Sequence, residues 1–280
     1  MKSLRIGQSY KLTWQMAIAA IFVLTVTAAA LYAFVYLRHD PNLTDLSQSL
    51  LASSRLHPLG TDHLGRDILT RILLGGVQTV GYSLLALTAA LLIGIPLGLL
   101  AGYRRGFTDR ILMRIADAFL AFPDTLVAIL LAGMLGASIG NLIVAVILIK
   151  WVNYARLVRS TVLTESQKDY VLIARSNGLS TARIMRKHLF PHIIGNVLVM
   201  ASLDLGKIIL LISAFSYIGL GVQPPYPEWG AMLNESRPYF QSRPALMIYP
   251  GLSIITVVLL ANMLGDYFRD RFDVKKEVQP

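Results

Sequence analysis

Long apolar runs separated by short polar segments make up most of the chain. Six of these runs approach or exceed the about 20 residues that a helix needs to cross a bilayer. They cover residues 13–37, 77–102, 115–136, 138–155, 193–221 and 245–265. The pattern predicts an all-α integral membrane protein with six transmembrane helices. Because the first run continues to Leu37, too far for the apolar core of a signal peptide, we expect it to remain as an uncleaved anchor.

The runs divide the chain into three predicted regions. Residues 1–76 hold an N-terminal cytoplasmic segment, the first anchor and an outer segment, and residues 77–265 form the transmembrane domain. Residues 266–280 form a cytoplasmic tail.

Composition supports the membrane class. Of the 280 residues, 55% are hydrophobic and only 15% are charged, whereas a soluble domain carries about 25% charged residues. The chain has no cysteine, which excludes disulfides, thiolate metal sites and thiol nucleophiles from its own residues.

Positive charge is distributed unevenly among the loops, and this predicts the side of the membrane that each loop occupies. The N-terminus is basic, the segment 38–71 is neutral, and the loop after the second run is basic again. The segment 156–192 carries seven Lys or Arg against only Glu165 and Asp169. Basic and neutral segments alternate as six spans require, so we expect both termini in the cytoplasm. The net charge of +10 then reflects cytoplasmic loops rather than a nucleic-acid partner.

The longest of these loops, about 164–191, is expected to be structured. A helix is predicted from Thr164 to Ser176, ended by Gly178, which readily takes the left-handed conformation. Ser180 is expected to cap a second, short helix that Pro191 stops. Two interpretations of this helix-turn-helix remain: a basic amphipathic element lying on anionic lipid, or a docking element for a cytoplasmic partner.

The same loop resembles the "EAA" loop of ABC importer permeases. Ala174, Gly178 and Pro191 stand at the family's spacing, while Leu172 replaces the Glu of the motif. Ile173, His188 and Phe190 also depart from the pattern. The resemblance implies a coupling helix that contacts an ATPase, with candidate residues Ala174, Gly178, Ser180, Ala182, Arg183, Ile184 and Pro191.

Three further segments resemble the branch of these permeases that imports dipeptides, oligopeptides and nickel. They are "HPLGTDHLGRDILTRI" at 57–72, "SYIGLGVQPPYPEWGAML" at 216–233 and "GDYFRDRFD" at 265–273. The likeness is to the "C" partner of a heterodimeric permease pair, and "LDLGKIILLIS" is closer to the nickel and metal-chelate importers. It implies a type I importer permease fold in a bacterial inner membrane. The implied partners are a second permease subunit, two cytoplasmic ABC ATPase subunits and an extracytoplasmic solute-binding protein.

Two outer segments carry candidate chemistry. Asp62, His63 and Asp67 imitate a metal or hydrolase site, but the neighbouring glycines favour tight turns in which Asp62 and Asp67 accept from backbone N–H groups or pair with Arg66. We expect an outer entrance here and no metal. In the second segment, Glu228 either belongs to a cap on the outer mouth or contacts solute, and Trp229 suits the membrane interface.

Charged residues inside the runs are costly and tend to face a partner or a water-filled cavity. Asp204 and Lys207 lie three residues apart on one helix face and are expected to pair. Lys150 lies in the fourth run. Either Asp204 and Lys207 form a structural lock while Lys150 reaches towards an interface, or the three line a translocation path suited to a charged or chelated solute.

The chain offers no ATP-binding loop. Its only Gly-Lys pair, Gly206-Lys207, is followed by Ile208 instead of Ser or Thr. We therefore expect no cofactor on this chain, with ATP and Mg²⁺ bound by the partner ATPases. Two other functions are weighed: an intramembrane hydrolase using Asp204 and Asp266, and an ion-coupled secondary transporter using Asp204 as proton carrier. Arg269 gives Asp266 a simpler partner, and the ion-coupled transporter leaves the basic loop unexplained.

Overall fold

The computed structural model describes residues 40–272. The predicted anchor at 13–37 and most of the predicted tail lie outside this range. Within residues 40–272 the ordered elements are helical, apart from one isolated bridge between Thr61 and Asp67. The long helices are α1 (Ile68–Arg104), α4 (Ile139–Glu165), α7 (Phe190–Tyr217) and α9 (Ala245–Phe272). Shorter helices are α2 (Gly106–Leu120), α3 (Asp124–Leu135), α5 (Asp169–Ser176), α6 (Thr181–Ile184) and α8 (Trp229–Ser236).

Four helices in this range are long and apolar enough to cross a membrane, and a fifth span is possible if α2 and α3 count as one. The predicted single span at 115–136 is wrong in form, because α2 and α3 meet at 87°. Pro123 lies at the break and cannot donate the backbone hydrogen bond that a continuous helix requires.

The extents of two further spans differ from the prediction. Helix α1 begins at Ile68 because Asp67 caps it, accepting from the Thr70 amide at 2.8 Å. Helix α4 continues ten residues beyond the predicted end at 155, because its basic side chains find acidic partners on α2: Arg159 pairs with Asp109.

The helices pack through small residues on α1. A Cβ on Gly94 would lie 2.6 Å from the Trp151 carbonyl oxygen, and one on Gly98 would lie 2.5 Å from that of Ala155. Small residues at four-residue spacing allow such close approach between membrane helices. The core between α1 and α4 is extended by α3, α7, α8 and α9.

The segment after α4 follows the prediction in part. Helix α5 starts at Asp169, not Thr164, because the long helix α4 continues to Glu165. Gly178 has φ of 75° and ends α5 in the predicted left-handed conformation. Helix α6 starts directly after Ser180, whose carbonyl accepts from the Ile184 amide.

The predicted stop at Pro191 is wrong. A π-helical turn, Met185–Leu189, joins α6 to α7, and the Phe190 amide bonds to the Met185 carbonyl five residues back. Pro191 therefore lies in the first turn of α7, where a proline ring and its missing N–H are tolerated. The loop thus runs into the fifth predicted span as one helix.

Candidate functional site

The segment from α5 to α6 is held against the ends of two long helices. Its buried residues form an apolar cluster with residues of α4 and α7: Val158, Val162, Val171, Ala174, Ile184, Leu189, Ile193 and Val197. Among the predicted coupling residues, Ala174 and Ile184 are buried in this cluster, while Gly178, Ser180 and Arg183 are exposed. The Tyr103 hydroxyl of α1 also hydrogen-bonds Thr181. The turn at Gly178 is therefore presented outward on a packed base.

A polar contact, missed from the sequence, fixes α5 to the end of α4. The Tyr170 hydroxyl donates to Glu165 Oε2 at 2.5 Å, and Lys168 Nζ lies 2.7 Å from Glu165 Oε1. Burial and the hydrogen bond to Glu165 raise the pKa of the Tyr170 phenol. The Tyr170 ring lies between His188 of the π turn and His192 of α7, at centroid distances of 5.9 and 6.2 Å. Tyr170 thus joins all parts of this segment.

The three charges inside the predicted spans divide into two sites, each of which includes one residue of α4: Tyr154 in the first and Lys150 in the second. Lys207 Nζ lies 3.4 Å from Asp204 Oδ1, as predicted from their spacing. The other Asp204 oxygen accepts from the Tyr154 hydroxyl at 3.0 Å. Lys150, one turn before Tyr154, is 7% exposed and lies 3.3 Å from Asp124 Oδ2.

The residues of these two sites differ in their exposure to solvent. Asp204 and Tyr154 are buried, whereas the Lys207 side chain is 69% exposed and that of Asp124 is 38% exposed. Sequence reasoning missed Asp124 and Tyr154. An acidic residue inside the run 115–136 was a usable signal for Asp124, but nothing local indicated Tyr154.

The turn around Asp62 and Arg66, predicted as an outer entrance, has the geometry expected from its glycines. Gly60 and Gly65 both have positive φ. Asp62 Oδ1 accepts from the Arg66 amide at 3.0 Å, and Asp62 Oδ2 lies 2.6 Å from Arg66 Nε. The remaining predicted residue, Asp67, caps α1 and contacts His57 Nδ1 at 2.9 Å.

This turn is joined to the distant helix α8 by buried charges. Glu235 Oε2 lies 2.5 Å from Arg66 Nη2 and 3.2 Å from Arg71 Nη2. Both arginines are 1% exposed. His63 stacks on Tyr239 at a centroid distance of 4.9 Å, and burial lowers its pKa. Within residues 40–272, no group of three or more His, Asp or Glu residues is arranged to hold a metal ion.

Glu228 and Trp229 lie in buried contacts between the start of α8 and helix α1. Glu228 is fully buried, caps α8 by accepting from the Gly230 and Ala231 amides, and accepts from Thr79 Oγ1 at 3.0 Å. Trp229 is 5% exposed, and its Nε1 donates to the Ile72 carbonyl of α1 at 2.9 Å. Glycines in α1 make room for the indole ring.

Known proteins are similar in sequence to this chain over nearly its whole length. Residues 94–276 match the family described as the binding-protein-dependent transport system inner membrane component. The chain is 37% identical over 260 residues to the nickel transport system permease protein NikC of Escherichia coli (strain K12), covering 93% of this chain and 94% of that protein. It is 40% identical over 258 residues to the glutathione transport system permease protein GsiD of Pectobacterium atrosepticum, covering 92% and 86%. It is 37% identical over 262 residues to the dipeptide transport system permease protein DppC of Alkalihalophilus pseudofirmus, covering 93% and 86%.

The fold agrees with this relationship. A chain of the MetNI methionine ABC transporter in an inward-facing conformation superposes with a TM-score of 0.57 at 17% identity, covering 71% of this chain and 94% of that chain. The ion-coupled transporter and the hydrolase receive no support from these matches. The chain is a multi-pass inner-membrane protein that belongs to the family of binding-protein-dependent transport system inner membrane components, the permeases of ABC importers, in its peptide and nickel class.

Proposed function

We propose that this permease forms half of the path through which an ATP-driven importer moves a small charged solute, either nickel or another metal as a chelate, or a di- or oligopeptide. The observation that carries this proposal is the identity of 37–40% to permeases named for nickel, glutathione and dipeptide transport, extending over more than nine-tenths of the chain. Those identities are too similar to select one solute. We favour a metal chelate because of the residues around Asp204 and Lys207.

The energy comes from partner subunits in this proposal. The segment from α5 to α6, around the exposed turn at Gly178, docks on a cytoplasmic ATPase. Its packed contacts with α4 and α7 support this role, because a rigid element transmits displacement of its exposed end to the helices beneath it. Two ATPase subunits and a second, separate permease chain complete the assembly. A solute-binding protein delivers solute to the outer side.

The membrane arrangement follows from the same proposal. The anchor at 13–37 adds the sixth span to the four long helices and the bent α2–α3 pair. Both termini and the turn at Gly178 lie in the cytoplasm, and the turn around Asp62 and Arg66 lies outside. The alternating basic and neutral segments support this orientation.

In this proposal the translocation path passes two charged sites, the Asp204–Lys207 pair of α7 and the Lys150–Asp124 pair of α4 and α3. Lys207 and Asp124 are exposed in the single chain yet belong to membrane-embedded helices, where a charge facing lipid is costly. Both therefore face either water in the path or the second permease chain. A cation and a carboxylate at this depth suit a solute that carries charges of both signs.

Purification of the intact transporter in mild detergent tests this function. We expect the chain to co-purify with an ATPase and a distinct permease, and the binding protein encoded with them to carry the solute. Reconstituted vesicles should then take up that solute only with internal ATP. Uptake driven by an ion gradient without ATPase subunits would overturn the proposal. Retention of a peptide rather than a metal chelate would correct only the choice of solute.

A further inference from the structure

The acidic and basic residues of helix α2 differ in their contacts. Its two carboxylates face α4, where Asp109 Oδ2 accepts from Arg159 Nη2 at 2.7 Å and Asp117 lies 3.7 Å from Arg156. Both carboxylates of α2 are therefore paired with arginines of α4. The basic residues of α2 must be neutralised by groups outside this helix.

One flank of α2 carries two cations without an acidic partner among the described residues. Arg110 and Arg114 are one turn apart and exposed, and neither forms an ion pair or a side-chain hydrogen bond within residues 40–272. Beside them lies an exposed apolar stripe at four-residue spacing, formed by Phe107, Ile111 and Ile115. Cations next to an apolar stripe are the arrangement of helices that lie at a lipid headgroup boundary.

An apolar groove continues from this flank. It occupies the inside of the 87° bend between α2 and α3 and has a volume of about 330 Å³. Its lining contains no polar side chain: Ala118, Phe119, Phe122, Leu126, Val127 and Leu130. Arg114 precedes Ala118 by one helical turn, roughly 6 Å along the axis. Guanidinium groups and an apolar groove are therefore adjacent on one helix face.

We propose that this flank is a binding site for an anionic phospholipid. The phosphate contacts Arg114 and Arg110, and an acyl chain enters the groove at the bend. A soluble anion would leave the groove empty, and a lipid without net charge would leave the two arginines without full neutralisation. Only a molecule with an anionic head and an apolar chain satisfies both parts, and such molecules surround α2 in a membrane.

The absence of cysteine from the chain permits a direct test. Leu130, at the groove, is 62% exposed and is replaced as Leu130→Cys in the complete transporter, then labelled with a fluorophore. The transporter is reconstituted in vesicles that contain brominated phosphatidylglycerol or brominated phosphatidylcholine as quencher. We expect an apparent preference for phosphatidylglycerol of about thirtyfold, as two basic residues near anionic lipid provide. High salt should reduce this preference in the labelled Leu130→Cys transporter that keeps both arginines.

Charge variants identify the headgroup contacts. Arg110→Gln with Arg114→Gln should abolish the preference for phosphatidylglycerol, while the brominated acyl chains of both lipids still quench the fluorophore. Arg110→Lys with Arg114→Lys should retain most of the preference. Arg237→Gln with Arg243→Gln removes the same charge from exposed residues after α8 and should leave the preference unchanged. Ala118→Trp should fill the groove and reduce quenching by both lipids.

Three results would overturn the proposal. Equal quenching by both lipids would show that the lipid headgroup is not recognised. A preference for phosphatidylglycerol that survives Arg110→Gln with Arg114→Gln would show that other residues bind the headgroup. Quenching by neither lipid, together with a disulfide between Cys at position 130 and a cysteine on the second permease chain, would show that protein covers the groove.

Discussion

The Tyr154 hydroxyl donates a hydrogen bond to Asp204 Oδ2 at 3.0 Å and so joins α4 to α7 inside the core. The second carboxylate oxygen of Asp204 faces Lys207, whose side chain is largely exposed. Asp204 therefore has one buried partner and one exposed partner. The two contacts are separable, because each can be removed without touching Asp204 itself.

Tyr154→Phe should change the stability of the permease, whereas Lys207→Gln should change the rate of solute uptake. Loss of the hydroxyl removes a hydrogen bond to a buried charge, so the variant should lose about 1.5–3 kcal/mol of stability. Lys207→Gln should preserve the melting temperature but change the uptake rate, if Lys207 faces the path. Thermal melting of the purified transporter and uptake into vesicles measure the two effects. Unchanged uptake in folded Lys207→Gln would leave the pair with a structural role alone.

The buried charges on the outer side predict a large stability effect. Glu235 is shared by Arg66 and Arg71, both almost completely buried. Removing one partner from a buried charge network costs about 3–5 kcal/mol, because the remaining charges lack compensation. Glu235→Gln should therefore lower the melting temperature sharply.

A matched control exists in the pair Asp266–Arg269, at 3.1 Å, in which both side chains are about half exposed. Asp266→Asn should cost less than about 1 kcal/mol. Equal melting temperatures for the two variants would contradict the view that Glu235 locks the outer turn to α8.

The features predicted correctly from sequence are those set by neighbours along the chain. The left-handed turn at Gly178 and the Asp204–Lys207 pair depend on a few adjacent residues. The contact of Tyr154 with Asp204 joins residues 50 positions apart, and that of Arg66 with Glu235 joins residues 169 apart. Such contacts are created by helix packing, so spacing alone did not indicate them.

Local rules also failed where the backbone adapted or a remote partner intervened. Pro191 is a stop signal in a regular α-helix, but the π turn before it places the ring in the first turn of α7. For Lys150 the sequence leaves an interface and a translocation path open, because its partner Asp124 lies 26 residues away and is not indicated by spacing. The family resemblance of the loop, in contrast, was readable despite the replacement of its Glu by Leu172.

Tyr170→Phe should weaken coupling without unfolding the permease. The variant loses the hydrogen bond that fixes α5 to Glu165 but keeps the aromatic ring between the two histidines. We expect less solute transported per ATP hydrolysed, with unchanged assembly. The ratio of uptake to ATP hydrolysis in vesicles measures this. Tyr226→Phe removes an exposed hydroxyl and should leave the ratio unchanged; a similar drop in both variants would contradict a specific role for Tyr170.

Cysteine labelling can establish orientation. Asn177 beside the turn at Gly178 and Gln241 after α8 are both exposed. In intact cells, a membrane-impermeant maleimide should label Gln241→Cys and not Asn177→Cys. Opening the cells should make Asn177→Cys reactive. Labelling of Asn177→Cys from outside would invert the proposed topology and remove the turn from any cytoplasmic ATPase.

The turn at Gly178 provides the sharpest test of coupling. Gly178 has φ of 75°, and a Cβ there would meet no atom within 4 Å, so Gly178→Asp strains the turn without a clash in the core. The added side chain and charge instead alter the surface proposed to contact the ATPase. We expect normal insertion, loss of uptake and loss of ATPase co-purification. Gly136→Asp is the matched control, because Gly136 also has positive φ and open space but lies between α3 and α4, on the outer side in the proposed orientation. If the ATPase subunits co-purify with Gly136→Asp and not with Gly178→Asp, docking at the turn is supported. Normal uptake in Gly178→Asp would refute docking there.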